Sequence, residues 1–273
     1  MRTAMNRGVW LGVLLGLLGA VANAWADAAL DAALAGAQRS EANRARDVYR
    51  HPAETLGFFG IKPDMTVVEI MPGGGWYTEI LAPYLREKGK LYAAHFPQDT
   101  SSEYGKKSIA DFMQKLSAAP AVYDRVQLTP FQPPQQVGIA PPASADAVVT
   151  FRNVHNWLEG QGEAAVFKAA FAALKPGGVF GVVEHRAKPG TSRAQSLDSG
   201  YTDEQLVIDA ATQAGFVLEE KSEINANGKD TKDYGKGVWT LPPSYAEGDK
   251  DKAKYQAIGE SDRMTLRFRK PAK

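Results

Sequence analysis

Apolar residues along this chain come in short β-branched runs separated by amphipathic stretches, a rhythm that predicts alternating strands and helices. Val67-Val68-Glu69-Ile70 closes an apolar run over 66–70 and passes straight into Pro72-Gly73-Gly74-Gly75. The stretch 77–85 then carries Ile80, Leu81 and Leu85 at helical spacing. These three pieces predict a buried parallel strand, a tight turn and a helix opening. Further strands are predicted at 89–95, 125–128, 147–151 and 179–184, with helices around 112–116, 164–174 and 202–214. Lys175-Pro176-Gly177-Gly178 is expected to stop the second of these helices, and Gly215 the third. Residues 216–224 read as extended, and Thr265-Leu266-Arg267-Phe268 alternates like an edge strand. A proline-rich loop covers 132–145, and the run Lys229-Asp230-Thr231-Lys232-Asp233 reads as a solvated loop. Before the first strand, 27–60 forms a helical lead-in, with Pro52 suited to a helix first turn. The alternation implies an α/β fold with a mostly parallel sheet and helices on both faces, one domain over 27–273 whose core is 61–273.

The N-terminus carries a separate signal. Arg2 and Arg7 precede an apolar run over 8–21, followed by Ala22-Asn23-Ala24 and Ala24-Trp25-Ala26. Such a segment predicts a secretory signal peptide over 1–26, cleaved after Ala24 or Ala26, and hence a periplasmic or secreted protein. The apolar core is short for a membrane span, so no membrane association is expected after cleavage. The chain has no cysteine, which excludes both a disulfide framework and a lipidated N-terminus. Losing two arginines and no acid takes the formal charge from +1 to −1. A near-neutral chain without long basic runs argues against nucleic acid as a partner and leaves a small-molecule ligand.

Two places carry candidate chemistry. Glycines at a strand-to-helix turn let backbone N–H groups approach a ligand closely, so Gly73, Gly74 and Gly75 are candidate binding residues, with Glu69 anchoring the turn. The dinucleotide fingerprint G-x-G-x-x-G fits poorly, because Thr78 stands at its third glycine. The second place is the end of the strand at 147–151, where Arg152, Asn153, His155 and Trp157 cluster. His185 and Arg186 leave the next strand at the same carboxyl edge, where ligands bind in open α/β sheets. His155 and His185 are the candidate general bases, and Arg152, Asn153 and Trp157 the candidate substrate contacts. No metal site is assigned.

The glycine turn resembles motif I of the class I S-adenosylmethionine (SAM) dependent methyltransferases, in which a strand ending in Asp or Glu meets Gly-x-Gly. Asp146-Ala147-Val148-Val149-Thr150-Phe151 is similar to that family's fourth strand, and Leu174-Lys175-Pro176-Gly177-Gly178 to its turn into strand five. Glu54-Thr55-Leu56, Pro72 to Tyr77, Arg152-Asn153-Val154-His155 and Asp262-Arg263-Met264-Thr265-Leu266 resemble recurring pieces of a bacterial group of signal-peptide-bearing predicted methyltransferases. The resemblance implies a Rossmann-like, doubly wound fold and SAM as cofactor, held by Glu69, Gly73, Gly74, Gly75, His95 and Thr150. It implies methyl transfer to a small molecule. Three positions depart from the family pattern: Met71 replaces a glycine, His95 stands where an acid grips the ribose hydroxyls, and Thr129-Pro130-Phe131-Gln132 lacks the acid that meets adenine. A lost charge-assisted contact weakens SAM binding. With an extracytoplasmic location, these departures keep open an alternative, a non-catalytic ligand-binding protein on the same fold.

Overall fold

The computed structural model describes residues 27–272, so the expected signal peptide lies outside the described residues. No helix among the described residues is long and apolar enough to cross a membrane. Among the described residues four short helices come first: α1 (Ala28–Ala35), α2 (Glu41–Arg44), α3 (Asp47–Arg50) and α4 (Pro52–Phe58). The lead-in is therefore broken rather than continuous. Between α3 and α4 the cause is Pro52, which disfavours a helical residue before it; His51 accordingly turns left-handed at φ 40°.

The core follows as β1 (Thr66–Ile70), α5 (Thr78–Leu85), β2 (Lys90–His95), α6 (Glu103–Ala118), α7 (Pro120–Tyr123), β3 (Gln127–Pro130) and β4 (Ala145–Phe151). The rest comprises α8 (Val154–Trp157), α9 (Gly162–Ala173), β5 (Leu174–His185), α10 (Arg193–Ser199), α11 (Glu204–Gln213), β6 (Val217–Ser222), α12 (Lys252–Ile258) and β7 (Arg263–Arg269). The seven strands form one sheet in the order β3-β2-β1-β4-β5-β7-β6, with β7 antiparallel to both neighbours and the paired strands from β3 to β5 parallel. The strand order reverses direction between β1 and β4, which places a crevice at their carboxyl ends.

Strand alternation sorts the core into two layers. Val68, Val148 and Phe180 face α8, α9 and α11, whereas Val67, Val149 and Val179 face α1, α4, α5 and α7. Each fully buried aliphatic or aromatic side chain in these layers contributes roughly 1.5–3 kcal/mol.

Three expectations need correction. The segment Lys175-Pro176-Gly177-Gly178 does not stop α9, which has already ended at Ala173; it lies inside β5. Ala145 pairs with Leu174 and Ala147 with Val179, so β5 bulges there and Gly177 takes φ 78°. Thr265 to Phe268 is not an edge: β7 sits between β5 and β6, and its residues from Arg263 to Leu266 are buried. Asp230, in the expected solvated loop, is buried and accepts hydrogen bonds from the Tyr201 hydroxyl at 3.0 Å and the Asp262 N–H at 2.8 Å.

Candidate active site

β1 ends at Ile70, and Met71 follows at φ 53°, a left-handed conformation for which glycine is the usual residue. The methionine at the family's glycine position thus keeps the glycine-like backbone. Its N–H bonds Ala94 O at 2.8 Å, and Asn153 Nδ2 donates to Ile70 O and Met71 O, both at 3.1 Å, and to Thr150 Oγ1 at 3.0 Å. Asn153 is thereby a clamp that ties the end of β4 to the end of β1. Beyond it, a Cβ added to Gly73 or Gly74 would meet nothing within 4 Å, so both present bare backbone to open space. Gly75 differs: at φ 78°, a Cβ there would stand 3.0 Å from the Phe112 ring of α6. Its glycine is a packing requirement.

Three residues expected at the cofactor support this turn from behind instead of lining the cavity. His95 receives the Phe96 N–H on Nδ1 at 2.8 Å, so Nε2 carries the proton and donates to Gly73 O at 3.2 Å. Burial lowers its pKa against the opposing effect of the Gly73 bond, and no ring nitrogen is left to accept a ligand hydroxyl. Glu69 is buried beneath the turn, accepts the Thr78 hydroxyl at 2.6 Å, and is pushed up to about 7 by desolvation. Thr150 is fully buried and donates to Ile70 O at 3.4 Å.

On the other wall, β4 leads through Arg152, at φ 63°, into α8 and His155. Glu184 of β5 is wholly buried, and its two oxygens take the Val154, His155 and His185 backbone N–H groups. The His155 ring donates from Nδ1 to Glu184 Oε1 at 3.0 Å, which leaves Nε2 as its uncommitted nitrogen. The His185 ring lies 5.3 Å from that of His155 and hydrogen-bonds Ser261 Oγ through Nδ1 at 2.5 Å. Burial, then the nearby His155 and Arg263, hold His185 well below its ordinary value, so it is neutral. Donor atoms of His155, Glu184 and His185 come within 4.8 Å of one another. Glu184 is already engaged by N–H donors on both oxygens, and arginines crowd the same space, so the electrostatics oppose a cation there.

Trp157 is a correction. It turns away from the cavity into the core and packs edge-on against Phe131 at 6.2 Å, because two residues beyond His155, more than half a helical turn, the side chain faces the sheet. Trp239, from the long connection between β6 and β7, takes the place beside His155, at 6.1 Å between rings. Arg186 also lies outside, held by Asp262 at 2.9 Å and Glu223 at 2.7 Å.

Gly73, Gly74, Arg152, Asn153, His155 and His185 line one cavity of about 380 Å³ at the switch between β1 and β4. Sequence reasoning missed its basic wall. Arg46 and Arg50 come from the lead-in, one helical turn apart, and Arg263 from the start of β7. All three surround buried Glu260: Arg46 Nε at 2.6 Å, Arg50 Nε at 3.0 Å, and Arg263 Nη2 in closer contact. The only signal available was the Arg46/Arg50 spacing and the recurrent Asp262-Arg263 piece. The lead-in is locked to the glycine turn by Trp76, whose Nε1 donates to Asn43 O at 3.1 Å beneath the Arg50 guanidinium, 4.7 Å from the ring.

No protein-family model matches the chain. Among solved structures it is similar to a SAM-dependent methyltransferase from Aquifex aeolicus, with a TM-score of 0.55 and 15% identity, over 83% of this chain and 93% of that one. It is similar to phosphoethanolamine N-methyltransferase 2 of Haemonchus contortus in complex with SAM, with a TM-score of 0.54 and 14% identity, over 82% of this chain and 53% of that one. The cyclase SpnF matches with a TM-score of 0.53 and 14% identity, over 82% of this chain and 81% of that one. Identities this low speak to architecture alone, and one fold hosts many chemistries. The chain has the Rossmann-like, doubly wound fold of the class I SAM-dependent methyltransferases.

Proposed function

We propose that the cavity binds SAM over Gly73 and Gly74 and that the protein, once exported, methylates a small molecule there. One observation carries this reading: the open glycine face and the His155–Glu184 pair converge on a single cavity at the crevice between β1 and β4. The residues fit SAM at the turn, where bare backbone faces the cavity, and lack the ribose-gripping carboxylate, since His95 is spent on Gly73 O. Its loss is worth roughly ten- to a hundredfold, so SAM affinity is expected at tens to hundreds of micromolar.

Bound SAM supplies an electrophilic methyl group on a sulfonium centre. His155, fixed by Glu184 through Nδ1, holds Nε2 ready to take the proton of an O–H or N–H nucleophile as the methyl–sulfur bond breaks and the new bond forms. Asn153 keeps the two loop ends in register, and Trp239 shields His155 from solvent. Calorimetry with SAM, followed by mass spectrometry for S-adenosylhomocysteine with a panel of small-molecule nucleophiles, tests the reading. No heat up to millimolar SAM would overturn it, and binding without turnover would favour a non-catalytic ligand-binding protein. Recovery of the mature chain beginning at Trp25 or Asp27 from a periplasmic fraction tests export.

A further inference from the structure

We propose that the ligand of this cavity, the methyl acceptor on the reading above, is a small oxyanion with at least two negative charges, carboxylate or phosphate, seated on Arg46, Arg50, Arg152 and Arg263. Outside the cavity an arginine can have a carboxylate of its own: Arg39 holds Asp47 through both Nη atoms at 2.7 and 2.6 Å, its Nε alone lacking a partner, and Arg269 holds Glu219 at 2.6 Å. The cavity arginines are different. Three of them share the single carboxylate of Glu260, with Arg263 Nη1 also donating to Tyr49 O at 3.1 Å, and the Arg152 guanidinium has no hydrogen-bond partner among the described residues. Arg46 Nη2, Arg50 Nη2 and Arg263 Nε are buried without a partner, although Arg50 and Arg263 are 3% and 2% exposed. A buried guanidinium N–H left unbonded is costly, and an oxyanion supplies the missing acceptors in a geometry that a guanidinium fork matches.

Charge fixes the class of ligand. Among the described residues no carboxylate lines the cavity, while Glu260 and Glu184 stand just behind it, so four guanidinium charges against two carboxylates leave +2. Arg152 is pushed down to about 10 by burial and by Arg263, and it remains charged at neutral pH. SAM carries one carboxylate against an ammonium and a sulfonium, a net +1, and so adds to the excess. The compensating charge has to come with the other ligand, and a neutral or cationic acceptor would leave the excess in place.

The test titrates protein with succinate, inorganic phosphate, pyrophosphate and, as a neutral match, succinamide, at low ionic strength, with calorimetry and melting temperature as readouts. The expected result is binding of at least one dianion with a raised melting temperature, and none of succinamide; preference for succinate or for phosphate identifies the oxyanion. Arg152→Gln, which keeps the backbone bond to Val183 O and breaks no side-chain hydrogen bond among the described residues, should weaken that binding about tenfold or more without altering the melting temperature of the unliganded protein. Arg152→Lys should restore part of it, and Arg46→Gln should weaken it independently. Equal binding of succinamide and succinate, or no binding of any dianion below millimolar, would overturn the proposal even where SAM binds, leaving the methyltransferase reading intact. Dianion binding with no heat from SAM would leave the anion site standing and remove the methyl transfer.

Discussion

Glu184 accepts the Nδ1 proton of His155 at 3.0 Å while both of its oxygens are pinned by backbone N–H groups of Val154, His155 and His185. The carboxylate therefore does two things at once. It organises the loop between β4 and α8, and it selects the imidazole tautomer that exposes Nε2 to the cavity. Glu184→Gln turns one acceptor oxygen into a donor facing other donors, which should cost about 1–3 kcal/mol of stability. Nitrogen NMR of the imidazole should find Nδ1 protonated in the native protein and a mixed or Nε2-protonated ring in Glu184→Gln. An unchanged tautomer would show that Glu184 does not position His155.

Gly74→Ala separates ligand contact from folding. Gly74 is outside the left-handed region, and an added Cβ meets nothing within 4 Å, so melting should be unaffected. SAM affinity should fall by roughly tenfold or more, about 1.4 kcal/mol or above. Gly75→Ala should do the reverse and destabilise the chain, because φ is 78° and Phe112 lies 3.0 Å from the new carbon. Undiminished SAM binding by Gly74→Ala would place the cofactor elsewhere.

Buried Glu69 predicts an unusual pH dependence. Its carboxyl rises from the ordinary 4.5 to about 7 on folding, so the folded state holds the proton more tightly than the unfolded one. The associated stability is complete below pH 4.5 and is lost as pH rises through about 7, in total about 3 kcal/mol. Glu69→Gln, which keeps an acceptor for Thr78, should match the native protein near pH 4.5 and exceed it at pH 8 in urea denaturation. Parallel stability curves for the two proteins across this range would show that Glu69 does not titrate this way.

His185 should act in the opposite direction. Burial first, then His155 and Arg263, depress its folded pKa, so the unfolded chain binds the extra proton as pH falls below about 6.5. Stability from this group is present above 6.5 and declines on acidification, and His185→Asn should flatten that acid limb. An acid limb of the same slope in the variant would assign it to other groups.

Glu260→Gln should be strongly destabilising, by about 3–5 kcal/mol, since it strips the sole carboxylate shared by Arg46, Arg50 and Arg263. Adding inorganic phosphate should recover more stability in this variant than in the native chain. Equal phosphate effects on both would argue that the arginines are held by packing and not by charge.

Local signals were enough for the parallel core. Val67-Val68-Glu69-Ile70 could only be buried on both faces, and Gly73-Gly74-Gly75 could only be a turn, because β-branching, burial and missing side chains act over a few residues. The same holds for His155 and His185: successive parallel strands end at one edge, so residues just past them come together. The sequence also marked Met71 as a departure, but only the fold showed that it keeps the backbone of the glycine it replaces.

Tertiary structure alone decided the rest, since it depends on which neighbours the packing supplies, some of them more than 200 residues away in the chain. Arg46 and Arg50 meet Glu260 across more than 200 positions, and nothing in a 3.6- or 2-residue period encodes that contact. The reversal of β7 between β5 and β6 turned an expected edge into core and delivered Arg263 to the cavity. The inward turn of Trp157 and the two engaged nitrogens of His95 were likewise settled by neighbours, Phe131 in one case and Gly73 and Phe96 in the other. Periodicity along a chain states which residues are buried; which charges share that burial is fixed only when distant segments pack and every buried donor has to find its acceptor.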